Sequence, residues 1–243
     1  MGSLLTLALA GAVCRAHALG GNVKPLVRRW LHDMEGACAA VASGRMLQVE
    51  WQAMIGALLE RVDMKDLLRA ISFDQLAERA VRVPLPADHE SVRRIYFDRK
   101  EGLPDSLHFS AYLFALKKGV SVVPHGHHNM VTMHMMLKGS AHARHFDRVS
   151  DDAESMVIRP TADKLIAPGE VTSISDDKDN IHWFKALTEP VFMFNIGVAR
   201  VDPSKPFGDR DYVDPMGGEA LGGGLVRARR LAKSQAYRLY GQA

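Results

Sequence analysis

Gly119-Val120-Ser121-Val122-Val123-Pro124-His125-Gly126-His127 is the stretch on which the reading turns, with Gly139 twelve residues beyond His127. Side chains at i and i+2 of an extended strand share a face, so His125 and His127 can reach one metal ion together. Pro124 restrains the backbone immediately before them. The next segment, Met130 to Leu137 (MVTMHMML), is almost continuously apolar, as a strand covered on both faces would be. It carries His134 on the same face as Thr132. A third candidate ligand, His182, lies in Asn180-Ile181-His182-Trp183-Phe184. It opens a later apolar strand, where antiparallel pairing can bring it beside the first two histidines.

Short strand-like runs extend outward from this centre. They are Arg94 to Phe97, Phe109 to Phe114, Met156 to Ile158, Val171 to Ile174, Ile181 to Phe184 and Val191 to Ile196, separated by Gly, Pro, Asp and Asn. Many short strands with such punctuation predict a mainly β fold, a β-sandwich or jelly-roll barrel, over 87–205. Residues 19–86 read instead as helices. Leu26, Trp30, Met34 and Cys38 repeat at helical spacing until Ser43-Gly44. Leu47, Trp51, Met54, Ile55, Leu58 and Leu59 form a second stripe, and Met64, Leu67, Leu68 and Ile71 a third. Ser72 with Gln75 resembles a capping box for a short helix to Val81. These stripes predict a helical layer packed on the sheet, and Val83-Pro84-Leu85-Pro86 marks the boundary. The tail, 206–243, carries two glycine clusters and a basic helix expected from Leu225 to Tyr240, whose arginines and lysine read as a solvated face.

Composition narrows the function. The chain has 243 residues, 24% of them charged, and a formal net charge of +3, too weak a basic balance to argue for nucleic acid. Two cysteines, Cys14 and Cys38, exclude a disulfide framework and a cysteine-rich zinc site. No apolar run reaches the ~20 residues of a membrane span, so no stable membrane insertion is expected. Eleven histidines stand out, six of them between 125 and 145. At the N-terminus, Leu4 to Val13 followed by Ala16-His17-Ala18 reads as a signal peptide over 1–18, cleaved after Ala18, which implies export, in a bacterium to the periplasm. Without it the chain would be cytoplasmic.

The frame Gly119, His125-x-His127 and Gly139, with Pro168-Gly169 and His182 downstream, resembles the cupin superfamily, whose first motif is G-x5-H-x-H-x3/4-E-x6-G. The resemblance covers roughly the middle half of the chain and implies a cupin-type barrel. Thr132 stands at the position of the family glutamate. Three neutral imidazoles leave a divalent cation's charge to be balanced by its other ligands, which favours anions such as thiolates. A three-histidine set within cupins is similar to the thiol dioxygenases, the cysteine dioxygenase and cysteamine/plant cysteine oxidase group. That resemblance implies Fe(II) on His125, His127 and His182, a small-molecule thiol or similar anion as substrate, and dioxygen as co-substrate. It also implies a substrate-carboxylate contact from Arg99. The chain departs from cysteine dioxygenase in having neither a cysteine at position 132 nor a Ser-x-His-x-Tyr stretch after the third ligand, where Asn195-Ile196-Gly197-Val198 stands.

Facing the same site, His134 is either a hydrogen-bonding neighbour of the metal ligands or itself the third ligand. With Arg99 and Thr132 it completes the candidate catalytic set. His128 reads as a rim residue, and His142 and His145 as solvated residues of a polar strand. Asp176, Asp177 and Asp179 read as turn residues. Two other functions fit the same frame. One is a lyase or isomerase using another divalent transition metal as a Lewis acid, and the other is a non-catalytic metal or small-ligand binding protein. The oligomeric state is not legible in the sequence.

Overall fold

A computed structural model describes residues 23–97 and 104–242. The elements run α1 (Val23–Ala42), α2 (Gln48–Glu60), α3 (Met64–Ala70), α4 (Phe73–Val81), β1 (Ser91–Ile95), β2 (Ser110–Leu116), β3 (Ser121–Gly126), β4 (Met130–Lys138), β5 (Ala141–Asp151) and β6 (Ser155–Ile166). They continue with β7 (Val171–Ile174), β8 (Ile181–Ala186), β9 (Val191–Ala199), β10 (Asp211–Val213), β11 (Glu219–Gly222), β12 (Leu225–Leu231) and α5 (Lys233–Tyr240).

Strands β2 to β9 divide between two antiparallel sheets, in the orders β2-β9-β4-β7 and β3-β8-β5-β6, with the chain changing sheet at every step except β5 to β6. This is the jelly-roll arrangement of two interleaved Greek keys. β1 extends the first sheet beside β2. In the second sheet β10 pairs with both β3 and β12, and β12 with β6, so that sheet curls into a closed ring of six strands. Phe146, Met156, Ile158, Ile181, Val213 and Ala228 form the small core of that ring.

The helices cover the outer face of the first sheet. Trp30, Leu31, Met34, Cys38 and Val41 of α1, with Trp51, Ile55, Leu58 and Leu59 of α2, pack on Met133, Met135, Leu137, Phe192, Phe194 and Ile196. β4 is therefore buried on both sides: its odd-numbered residues face the helices, while Thr132, His134 and Met136 face the barrel interior, Met136 beside Phe114, Val122 and Phe184. α1 ends where Gly44 adopts a left-handed φ of 71° and donates to the Val41 carbonyl, a conformation a side chain would strain. Residues 83–86, between α4 and β1, hold no helix or strand, with Val83 exposed and Leu85 buried.

Several expectations need correction. Leu47 and Met54 are exposed and lie outside the α2 stripe, because the contact face narrows to the side that meets the sheet. The Ser72 hydroxyl caps nothing. Ser72 sits at φ 52° in the two-residue join Ile71-Ser72, its N–H donating to the Arg69 carbonyl at the end of α3 and its carbonyl accepting from Leu76 N–H at the start of α4. Instead Asp63 caps α3, accepting from Lys65 and Asp66 N–H at 2.8 and 3.2 Å. The basic segment expected as one helix over Leu225 to Tyr240 is β12 followed by α5, so strands continue past residue 205. Val226 and Ala228 pair with Ile158 and Met156 and face the small core, while Arg227 and Arg229 point outward. That period-2 pattern belongs to a strand. The signal peptide expected over 1–18, including Cys14, lies outside the described residues. Among the described residues, no helix is long and apolar enough to cross a membrane.

Candidate metal centre

Two rows of cross-strand partners face each other inside the jelly roll. On one sheet Tyr212 pairs with His125, His125 with His182, and His182 with His145. On the other sheet Tyr112 pairs with Asn195, Asn195 with His134, and His134 with Thr172. The His134 and His182 rings meet across the gap with centroids 5.0 Å apart. His127, one residue past β3, reaches the same place.

The imidazoles of His125, His127 and His182 converge through Nε2. The distances are 2.9 Å from His182 to His125 and 3.1 Å from His125 to His127. These three are the only such ligand group among the described residues. His125 Nδ1 donates to the Val123 carbonyl at 2.7 Å, which leaves the lone pair on Nε2. His127 is held through its main chain, whose carbonyl accepts from Asn180 Nδ2 at 2.9 Å. Asn180 also donates to the Ser175 carbonyl at 2.9 Å and so ties the turn before His182 to the turn after β3.

Burial keeps these rings neutral. It drives His125 and His182 well below the usual histidine range, helped by the charge of Arg210 in the first case and by His125 in the second. Burial and Arg210 lower His127 to about 3. Arg210 is itself anchored by Glu90 at 2.9 Å, and the second oxygen of Glu90 accepts from Tyr237 Oη at 3.3 Å.

The donor set fits a divalent metal. Two metal–nitrogen bonds of ~2.1 Å at right angles place their nitrogens ~3.0 Å apart, and a tetrahedral angle places them ~3.4 Å apart. The observed 2.9 and 3.1 Å fall in the range expected of nitrogens that would share one ion. His182 Nδ1 is buried without a hydrogen-bond partner. Hydrogen bonding within the chain therefore leaves this ring nitrogen unsatisfied.

Thr132 donates its hydroxyl to the Ile196 carbonyl at 2.8 Å and accepts from Asn195 Nδ2 at 2.6 Å, so its hydrogen-bonding capacity is spent within the protein. His134 is buried on the inner face, with Nε2 3.1 Å from Asn195 Nδ2. Its nitrogens do not join the convergent group. Arg99 lies outside the described residues. His128 pairs with Asp211 near Arg148, at the rim. His142 pairs with Asp163, partly exposed. Asp176 is a turn residue that also joins two elements. It accepts from Asn129 N–H at 2.9 Å and from Gln48 Nε2 at 3.0 Å, linking α2 to the loop after His127.

His145 corrects the sequence reading. It is 2% exposed, with Nε2 unpartnered, and burial lowers its pKa to about 4 against the opposing effect of Asp179. The signal was the alternation Ala141, Ala143, His145, three small or aromatic residues on one face of β5. Asn180, Asn195, Thr172 and Arg210 were also missed, and no local motif marks them.

No family model matches the sequence, and neither does any curated protein. Solved structures with related folds include procruciferin, an 11S globulin from Brassica napus, at 14% identity and a TM-score of 0.37 over 54% of this chain and 28% of that one. A cupin superfamily protein from Desulfitobacterium hafniense matches at 15% identity and a TM-score of 0.32 over 48% of this chain and 84% of that one. An oxalate decarboxylase matches at 18% identity and a TM-score of 0.37 over 51% of this chain and 29% of that one. The chain thus spans under a third of procruciferin and of the decarboxylase. The jelly-roll assignment stands on the strand order itself.

Proposed function

We propose that this protein is a metal-dependent oxygenase of cupin type, holding Fe(II) on His125, His127 and His182 and acting on a small thiol or similar anion with dioxygen. The observation that carries the reading is the convergence of three neutral imidazole nitrogens at 2.9 and 3.1 Å with no carboxylate among them. Bound Fe(II) would supply adjacent open positions where an anionic substrate and dioxygen meet. The absence of a carboxylate ligand leaves the charge of the ion to the substrate, and the nearby Arg210 adds a further positive field that favours an anion.

The protein's own groups orient and enclose. Val123 sets the tautomer of His125, and Asn180 sets the backbone at His127. Phe184 and Phe114 pack on His134 with ring centroids 4.9 and 5.6 Å away, making a dry wall. The test is anaerobic loading with Fe(II), elemental analysis, and then oxygen consumption with a panel of small aliphatic thiols. About one iron per chain and thiol-dependent oxygen uptake are expected. Failure to bind any transition metal would refute the reading. Metal binding with turnover that needs no oxygen would transfer the site to Lewis-acid chemistry.

A further inference from the structure

The two facing rows continue past His182, on the side away from His125, into a region the metal ligands do not use. Four buried polar atoms there have no hydrogen-bond partner: His182 Nδ1, His134 Nδ1, His145 Nε2 and Thr172 Oγ1. They come from four strands, β8, β4, β5 and β7, and from register positions that face one another across the barrel. Phe184 sits among three of them, 4.9 Å from the His134 ring, 5.4 Å from His182 and 5.8 Å from His145. Ten buried side-chain atoms among the described residues lack a partner, and these four stand out in occupying neighbouring or facing register positions, where one ligand group can serve several of them. That partner is not a second metal, because these three histidines do not bring their nitrogens together as the triad does. It is not an anion either: none of the eight residues in the two rows carries a permanent charge, and the charge of Arg210 acts chiefly at His125 and His127 and least at His134.

We propose that His134, His145 and Thr172 form a subsite for an uncharged hydrogen-bonding group of the substrate, such as a hydroxyl or carbonyl, next to the metal centre. Asn195 Nδ2 lies 3.1 Å from His134 Nε2 but shares its two hydrogens with Thr132 Oγ1 and the Met133 carbonyl, so the free Nδ1 of His134 can meet the ligand as donor or acceptor. The Thr172 hydroxyl both donates and accepts, and a hydroxyl on the ligand can answer both groups. The proposal deepens the oxygenase reading and rests on it for the anionic end of the substrate. It adds that the other end is polar and uncharged. A pocket whose polar groups stay unpaired when the ligand lacks its hydroxyl discriminates strongly against that ligand.

The test uses protein loaded with Co(II), whose thiolate absorption reports binding without turnover. ω-Mercaptoalkanols of two to four carbons are compared with alkanethiols and ω-mercaptocarboxylates of the same length. At least one alcohol should bind about tenfold or more tightly than its alkanethiol and its carboxylate. That preference should vanish in Thr172→Val and His145→Leu, with cobalt stoichiometry unchanged. Equal binding of alcohols and alkanethiols at every length, tighter binding of carboxylates, or a preference that survives both substitutions would overturn the subsite while leaving the metal centre intact. A second measurement does not need the metal. In metal-free protein Thr172→Val should melt at or above the wild-type temperature, because the hydroxyl has no protein partner to lose. A drop of several degrees would show that the hydroxyl is already bonded within the fold, and the subsite falls with it.

Discussion

Replacing His182 with alanine removes one of three converging nitrogens and should empty the site. Its Nε2 lies 2.9 Å from that of His125, so the two cannot serve one ion independently. Structural zinc sites with four ligands bind with ~10–16 kcal/mol, or ~2.5–4 kcal/mol per ligand. Losing one such bond weakens binding by a factor of ~60 or more, at about 1.4 kcal/mol per tenfold. His134 has a comparable ring in the same interior, 5.0 Å from His182, but its nitrogens stand outside the convergent group. His134→Ala should therefore keep near-wild-type metal stoichiometry and lose affinity or activity by about 10- to 100-fold, as changes around metal ligands do. Each variant is loaded anaerobically with Fe(II), dialysed against a weak chelator and analysed for iron, with circular dichroism confirming the fold. His182→Gln serves as a second variant that fills the space of the ring. An empty His134→Ala beside a loaded His182→Ala would refute the ligand assignment and the oxygenase reading built on it.

Three further outcomes are expected. The folded-state pKa values of His127 and His145, about 3 and 4, lie below the unfolded value of ~6.5, so the unfolded chain binds more protons in acid. Metal-free protein should hold this contribution above pH ~6.5 and lose it as pH falls toward 4, by about 1.4 kcal/mol per pH unit for each histidine that titrates; urea midpoints that stay level between pH 7.5 and 5 would contradict the burial of these rings. Asn180→Ala strips the His127 and Ser175 carbonyls of their donor in a buried turn, and should cost about 2–3 kcal/mol in chemical denaturation while also lowering metal affinity; a loss under ~0.5 kcal/mol would mean that the turn holds without it. Cleavage after Ala18 should give a mature N-terminus at Leu19 in native protein by mass spectrometry, and an intact Met1 in a cytosolic fraction would reject export.

Local pattern was enough to read the helical layer, the strand content and the histidine pair. Helical stripes such as Trp30, Met34 and Cys38 report which face is buried, because burial follows the 3.6-residue period whatever the partner is. His125 and His127 were legible for a similar reason: side chains at i and i+2 of extended backbone share a face, and His127 directly follows the end of β3. His182 was legible only as a candidate, and its place was decided by the β3–β8 register, which sets it directly opposite His125. His145 looks solvated beside Arg144 and His142, yet it lies next to His182 because β5 pairs with β8. The role of Thr132 was decided by Asn195 and the Ile196 carbonyl, which come from β9, more than sixty residues away in sequence. The C-terminal segment reads as a helix in isolation because its strand pattern has meaning only against Ile158 and Met156, the partners that β6 provides. Periodicity along a chain tells which side of an element is buried. Pairing between distant strands tells what lies opposite, and that was settled by the closing of two sheets around one interior.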